Sequence, residues 1–175
     1  VAFPFFLIPS MDFEVRPLAD LVVEDGNEEA TIDCAIESIY KQKYPNSIHI
    51  IVVDDQSADR TGDIARNWAN LHVLSGKVLP KGWTGKLWAI HQGLNYANTK
   101  IPEAEFVLMT DADIEHGPDS IRQLVFKAQN EHLHLVSLMV RLRTESSWEK
   151  LLIPAFIYFF QKLYPFPWVH QPVFL

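Results

Sequence analysis

Two carboxylates separated by one residue, Asp111 and Asp113, close the apolar run FVLMTDAD that begins at Phe106. A divalent cation held by only one or two carboxylates keeps coordination positions for substrate phosphates. The pair reads as a handle for a metal-bound diphosphate; the competing reading is an Asx-type turn ahead of the helix that starts near Pro118. A second acidic pair, Asp54 and Asp55, follows the apolar run IHIIVV and leads into Gln56 and Ser57. Clustered carboxylates repel one another and raise each other's pKa values, so a fold that gathers them supplies a cation or hydrogen-bond donors. Ser57 reads as a helix cap, and the adjacent aspartates as ligand contacts.

The elements that must position these groups follow from the hydrophobic periods. Phe106 to Thr110 and Ile48 to Val53 are too short for spanning helices and suit strands buried on both faces of a parallel sheet. Their acids then emerge at the carboxyl ends, where open α/β sheets bind ligands. Further strands are expected at Leu18 to Val23, Leu71 to Leu74 and Leu133 to Leu142. Helices are expected at Glu28 to Tyr40, Asp59 to Ala69, Lys86 to Ala97 and Asp119 to Asn130, the first with Ala30, Ile32, Ala35, Ile36, Ile39 and Tyr40 as its apolar stripe. Alternation at this spacing implies βαβ units, hence an α/β fold with a largely parallel sheet and helices on both faces. Before the third helix lies the loop LPKGWTGK, Leu79 to Lys86. Such a loop can present amides and a cation to a phosphate, although it lacks the glycine frame of a Walker loop; its other reading is an ordinary loop with Trp83 packed on the surface.

Composition sets the class. With 175 residues, 48% hydrophobic and 21% charged, the chain suits one α/β domain with a sizeable core. A formal net charge of −7 without a Lys/Arg block excludes nucleic acid as a partner. The single cysteine, Cys34, forms no internal disulfide, and its place in a helical pattern predicts a small buried hydrophobe. The histidines lack zinc spacing, and His132 with His134 falls on one side of a strand, so no metal is assigned to them. Residues 1–17 read as an amino-terminal stub: the apolar stretch VAFPFFLIPSM carries two prolines and no basic region, too short to span a membrane. Residues 18–146 form the α/β domain. Residues 147–175 change character, with WEKLLIPAFIYFFQKLY from Trp148 to Tyr164 almost wholly apolar and aromatic between Lys150 and Lys162. That segment suits a helix lying in a membrane interface, or one buried against a portion following Leu175. Three prolines between Pro165 and Leu175 and no polar tail give the expectation that the chain is cut short there.

Asn27-Glu28, Asp54-Asp55, the Gly82 to Lys86 loop and Asp111-Ala112-Asp113, in that order, resemble an inverting family 2 glycosyltransferase with the Rossmann-like, nucleotide-sugar-binding GT-A fold. The strings VDDQSADRTGDIA, LPKGWTGKLWA, TDADIEHGPDSI and LVSLMVRLRTESSWEKLLIPAFIYFFQKLYPF are similar to the hopene-associated glycosyltransferases of bacteria. The resemblance covers roughly Asn27 to Trp168. It implies a nucleotide-diphosphate sugar donor, a Mg or Mn ion, a hopanoid-like or polyprenyl lipid acceptor, and a place at the cytoplasmic face of the bacterial inner membrane. It further implies that Asn27, Glu28, Asp54, Asp55, Gly85, Lys86 and Asp111 bind the nucleotide sugar. Asp55 would contact the nucleotide, Lys86 would lie near the diphosphate, Asp111 would support the sugar or ribose, and Asp113 with Asp111 would hold the metal. The general base is expected downstream of Leu175.

Two other readings stand beside this one. A nucleotidyltransferase uses a similar sheet and metal site but would carry a Gly-rich, basic signature near its first strand, which is absent. An inactive or fragmentary GT-A remnant that binds nucleotide or membrane without turnover is the alternative function. It draws on Glu24-Asp25-Gly26, where the family reads Pro-Ala-Arg or similar, and on the base having no match within the chain.

Overall fold

The computed structural model describes residues 5–9, 18–24, 28–138, 140–142 and 144–164, and divides the chain into two compact units, 1–140 and 141–175. In the first unit β1 (Phe5–Pro9), β2 (Leu18–Glu24), β3 (Ile48–Asp54), β4 (Leu71–Ser75), β5 (Phe106–Asp111) and β6 (Val136–Leu138) form a six-stranded sheet in the order β4-β3-β2-β5-β1-β6. Neighbours from β4 through β5 run parallel, while β1 runs antiparallel to both β5 and β6. The α1 (Ile32–Tyr40), α2 (Thr61–Arg66), α3 (Gly85–Lys100) and α4 (Ser120–Asn130) helices fill the connections.

The alternation of side chains along a strand sorts the core into two layers. Ile50 and Val52 of β3, with Phe106 and Leu108 of β5, pack with Ile32, Ile36 and Ile39 of α1, Ala65 of α2, and Ile121 and Leu124 of α4. Ile51, Val53 and Val107 point the other way and pack with Ala89 and Ala97 of α3. Helices therefore cover both faces, as the run of doubly buried strands implies. In α3 the buried positions are Ala89, Gly93 and Ala97, a row of small residues every fourth position that lets the helix lie close on the sheet. In α1 the buried row is Ile32, Ala35, Ile36 and Ile39, the spacing of one helical face.

Several expectations need correction. Phe5–Pro9, read as part of a stub, is a strand of the sheet. The five-residue run FFLIP is of strand length, and its proline stands at the end of the strand, where a missing N–H is tolerated. Cys34 is exposed, because the α1 stripe at positions 32, 35, 36 and 39 turns position 34 outward. Ala30 and Tyr40 also lie outside that stripe, both exposed. The α1 helix begins at Ile32, after a turn at residues 29–31 in which the Thr31 and Ile32 amides donate to the Glu28 carbonyl. The last strand is only Val136–Leu138, and His132 sits in a left-handed turn (φ 52°) after α4 instead of on a strand. The two compact units meet at residue 140.

The second unit contains α5 (Ser147–Leu163). A capping box starts it: Glu149 N–H donates to Ser146 Oγ at 3.2 Å, and Ser146 N–H donates to Glu149 Oε2 at 2.7 Å. Pro154 lies inside the helix and no α5 residue is buried. Among the described residues no helix is long and apolar enough to cross a membrane.

Candidate functional site

Parallel pairing aligns the strand ends. Glu24 stands opposite Asp54, Asp54 opposite Ser75, and Val23 opposite Asp111, so the acids of β3 and β5 leave the sheet at one edge. After Asp55 the chain turns sharply through Gln56, whose φ of 65° is in the left-handed region, a strained conformation for a residue with a side chain. The turn brings Ser57 back to Asp54. Asp54 Oδ1 accepts from Ser57 N–H at 3.0 Å and Ser57 Oγ at 2.7 Å, and Oδ2 pairs with Arg66 of α2 at 3.2 Å. Both oxygens of Asp54, whose side chain is only 12% exposed, are thus engaged within the protein. The cap expected of Ser57 is an Asx-type turn accepted by Asp54.

Asp55 lies against two glycines. A Cβ built on Gly76 would stand 2.7 Å from Asp55 Oδ1 and 2.9 Å from Asp55 Cα, and one on Gly85 would stand 3.2 Å from Asp55 Oδ2. The Gly76 N–H donates to the Asp54 carbonyl at 2.7 Å, locking the end of β4 onto the end of β3. Gly85 opens α3, so the Asp55 carboxylate sits beside a helix N-terminus, where the aligned peptide dipoles favour negative charge. Gly62, at the start of α2, gives Asp54 the same clearance: a Cβ there would meet the Asp54 carboxylate, with Cγ at 2.9 Å. Three glycines on three elements thus make room for two adjacent carboxylates.

Lys86, in the first turn of α3, reaches across to β5: Lys86 Nζ lies 2.5 Å from Asp111 Oδ1, with both side chains about three-quarters buried. Beyond Asp111 the chain alternates, with Ala112 buried at 2% exposure among the core residues and Asp113 exposed. The buried alanine leaves the two carboxylates on the outer side of the edge. Asp111 and Asp113 are hard oxygen donors and suit Mg or Mn. Among the described residues no group of three or more His, Cys, Asp or Glu side chains is gathered for a metal, so phosphate oxygens and water would complete such a shell.

Glu28 stands where the chain enters α1 and is fastened to the start of α2. Its N–H donates to Thr61 Oγ1 at 3.1 Å, its Oε2 accepts from Thr31 Oγ1 at 2.7 Å, and the neighbouring Glu29 N–H donates to Asp59 Oδ2 at 3.2 Å. The Thr61 hydroxyl also donates to Asp59 Oδ1 at 2.5 Å, a bond that holds the Asp59 carboxyl below its usual pKa. Asn27 lies outside the described residues. The structure therefore gathers Asp54, Asp55, Gly85, Lys86, Asp111 and Asp113 at the carboxyl edge, with Glu28 following the end of β2.

Sequence reasoning missed the supports behind this edge. Thr110, just before Asp111, is buried and its Oγ1 lies 3.1 Å from His116 Nε2. The His116 N–H donates to Ser38 Oγ of α1 at 2.9 Å, and Ser38 Oγ donates to the Ala35 carbonyl at 2.7 Å. Burial pushes the His116 imidazole down to about 4, so it is neutral at physiological pH. This chain fixes the segment after the Asp-x-Asp triplet onto α1. Arg66, on a different element from its partner Asp54, was equally invisible. A cavity of about 310 Å³ between α1 and residues 115–118 has His116 in its wall, but none of the expected site residues line it.

The loop before α3 is tied to its own helix. Trp88 Nε1 donates to the Lys77 carbonyl at 3.0 Å, and Lys77 N–H donates to Gln92 Oε1 at 2.9 Å. The Trp83 ring packs edge-on against Trp88 at 5.2 Å between centroids and lies 4.9 Å from His91. Trp83 thus does pack on the surface, and the same loop delivers Lys86 to Asp111.

Comparison with known proteins agrees with this fold. The family model described as Glycosyl transferase family 2 matches residues 26–171. The chain is 27% identical over 119 residues to the protein named Probable glycosyltransferase YdaM of Bacillus subtilis (strain 168), across 66% of this chain and 27% of that protein. It is 25% identical over 128 residues to the 4,4'-diaponeurosporenoate glycosyltransferase of Staphylococcus haemolyticus (strain JCSC1435), across 71% of this chain and 32% of that one. Among solved structures, S. aureus TarS 1-349 in complex with UDP-GlcNAc superposes with a TM-score of 0.51 at 25% identity, over 66% of this chain and 32% of that one. The chain spans about a quarter to a third of the length of these relatives.

Proposed function

The chain belongs to glycosyl transferase family 2 and carries the GT-A fold, and from that premise we propose that it binds a nucleotide-diphosphate sugar and passes the sugar, with inversion, to a lipid acceptor of hopanoid-like or polyprenyl kind at the cytoplasmic face of a bacterial inner membrane. The observation that carries the reading is the meeting of Lys86 with Asp111, 2.5 Å apart, at the edge where Asp55 and Asp113 also emerge. A cation and several carboxylates at the carboxyl edge of a parallel sheet suit a diphosphate better than a neutral ligand. The donor class is also supported by the UDP-GlcNAc bound to the TarS neighbour, and the lipid acceptor by the name of the diaponeurosporenoate enzyme.

In this mechanism Asp55 takes the nucleoside and Gly85 allows it close approach. Lys86 exchanges part of its pairing with Asp111 for the diphosphate oxygens, so the ammonium is already oriented when the donor arrives. Asp111 and Asp113 would hold the Mg or Mn ion, which supplies neutralisation of the charge that develops on the departing diphosphate. The acceptor hydroxyl attacks the anomeric carbon from the side opposite the leaving group, which inverts it. Its proton goes to a carboxylate that the family resemblance puts downstream of Leu175.

The test is calorimetric titration of uridine diphosphate into the purified chain, with and without Mn, beside the Asp113→Ala variant. Binding that needs the metal and disappears in the variant is expected. No binding under any condition, from a chain shown to be folded, would overturn the reading in favour of a remnant.

A further inference from the structure

The loop and helix start that deliver Lys86 also carry apolar side chains that the core does not use. Val78 is 84% exposed, Leu87 57%, Leu79 48% and Trp83 41%, with the exposed Lys77 just before them and the exposed Lys81 between them. We propose that residues 77–83, together with Leu87, dock on the surface of an anionic lipid bilayer; the purpose of this contact rests on the lipid-acceptor reading above.

Charge supports this occupant. The whole chain is acidic at −7, yet residues 64–102 contain Arg66, Lys77, Lys81, Lys86 and Lys100 and no Asp or Glu. Acids are absent from β4, this loop and α3, and while Lys86 is paired with Asp111, Lys77 and Lys81 put two exposed cations beside the apolar tips. An anionic surface attracts such lysines, and a tryptophan whose ring is partly packed and partly exposed suits the headgroup level of a membrane. Size argues against a protein partner, because a stable interface takes roughly 20–30 residues a side and this patch offers a few. The patch is also built in advance: the loop is pinned to α3 through Trp88 and Gln92, and Trp83 rests on Trp88 and His91. Little ordering is needed on contact, which favours binding by a small surface. Leu87 follows Lys86 directly, so a bilayer touching Leu87 lies one residue from the ion pair with Asp111. A lipid-borne hydroxyl would then meet the edge without leaving the membrane.

Co-sedimentation of the chain with phosphatidylcholine vesicles, with and without phosphatidylglycerol, tests this. A lysine near an anionic surface is worth about fivefold in partitioning, so Lys77→Glu with Lys81→Glu is expected to weaken binding to the anionic vesicles at least about twentyfold. Val78→Ser with Leu79→Ser is expected to weaken binding to both kinds. Binding of both double variants equal to that of the parent chain overturns the proposal: residues 147–164 then carry any membrane affinity and the patch is covered by protein. A second readout depends on no loss of affinity. An environment-sensitive dye on Leu79→Cys in a Cys34→Ser background should shift to the blue with anionic vesicles, and an unshifted emission also overturns the proposal. Uridine diphosphate titration of the same proteins keeps the two readings apart. In the parent chain, absent vesicle binding with intact nucleotide binding sinks only the docking surface; vesicle binding that the double variants lose, with no nucleotide binding in the parent, sinks only the transferase.

Discussion

Asp54 and Asp55 are neighbours in sequence with different work. Asp54 is tied to Ser57 and Arg66, so Asp54→Ala should lower stability by about 1–2 kcal/mol, read as a drop in the urea midpoint. Asp55→Ala should weaken uridine diphosphate binding by calorimetry. The glycines give a sharper contrast. A methyl at position 76 meets backbone as well as a carboxylate, 2.9 Å from Asp55 Cα and 3.0 Å from the Asp54 carbonyl, and backbone cannot step aside. Gly76→Ala should therefore cost about 1–3 kcal/mol and displace Asp55. At position 85 the added methyl meets only the end of the Asp55 side chain, at 3.2 Å, and the residue begins a helix. Gly85→Ala should keep or slightly raise the unfolding free energy, by up to about 1 kcal/mol in urea titration, while lowering nucleotide affinity. The Asp-x-Asp triplet was readable because a short apolar strand must end where its acids begin. The separate duties of Asp54 and Asp55 were not, since they depend on Arg66, Gly62, Gly76 and Gly85, which are brought in from other elements.

At the level of elements, the segment after β5 is held to α1 by a buried histidine, which makes the joint sensitive to acid. Folded His116 has its pKa lowered by burial to about 4 from an ordinary 6.5. The unfolded chain takes up that proton first, so stability from this site is intact above about pH 6.5 and is lost as pH falls towards 4, by up to about 3 kcal/mol. Urea midpoints at pH 7.5, 6 and 5 should fall more steeply for the parent chain than for His116→Gln. The α3 helix offers a separate check. Gly93 is buried between Ala89 and Ala97, and Gly93→Leu should lift the helix from the sheet at a cost of about 1–3 kcal/mol or more, read in the same assay. The existence and order of β2 to β5 and α1 to α4 followed from periodicity alone. Their ends did not, as α1 shows: the turn at residues 28–31 is set by Thr61 and Asp59, about 30 positions away.

Across the whole sheet, the element that sequence reading misplaced has structural consequences. Phe5–Pro9 lies between β5 and β6, so it is an interior strand and not an appendage. Deleting residues 1–17 should strip β6 of its paired neighbour and bare the backbone of β5. The expected result is a lower thermal midpoint and concentration-dependent association in sedimentation, because an unpaired strand edge recruits other chains. A true stub would be removed without effect. Five apolar residues carry no sign of their partners, and an antiparallel insertion into a parallel sheet follows from no local pattern. The same position also sets an order of events for the chain as it folds. Phe6 pairs with Met109, so β1, made before β2, has to wait for partners roughly a hundred positions later, and closing so long a loop is slow. On the ribosome β2, β3 and β4 can assemble with their helices while the first strand stays unmatched. The sheet is completed by a strand made well before its partners, and a pause in synthesis before β5 would hold that strand in solution at its most adhesive.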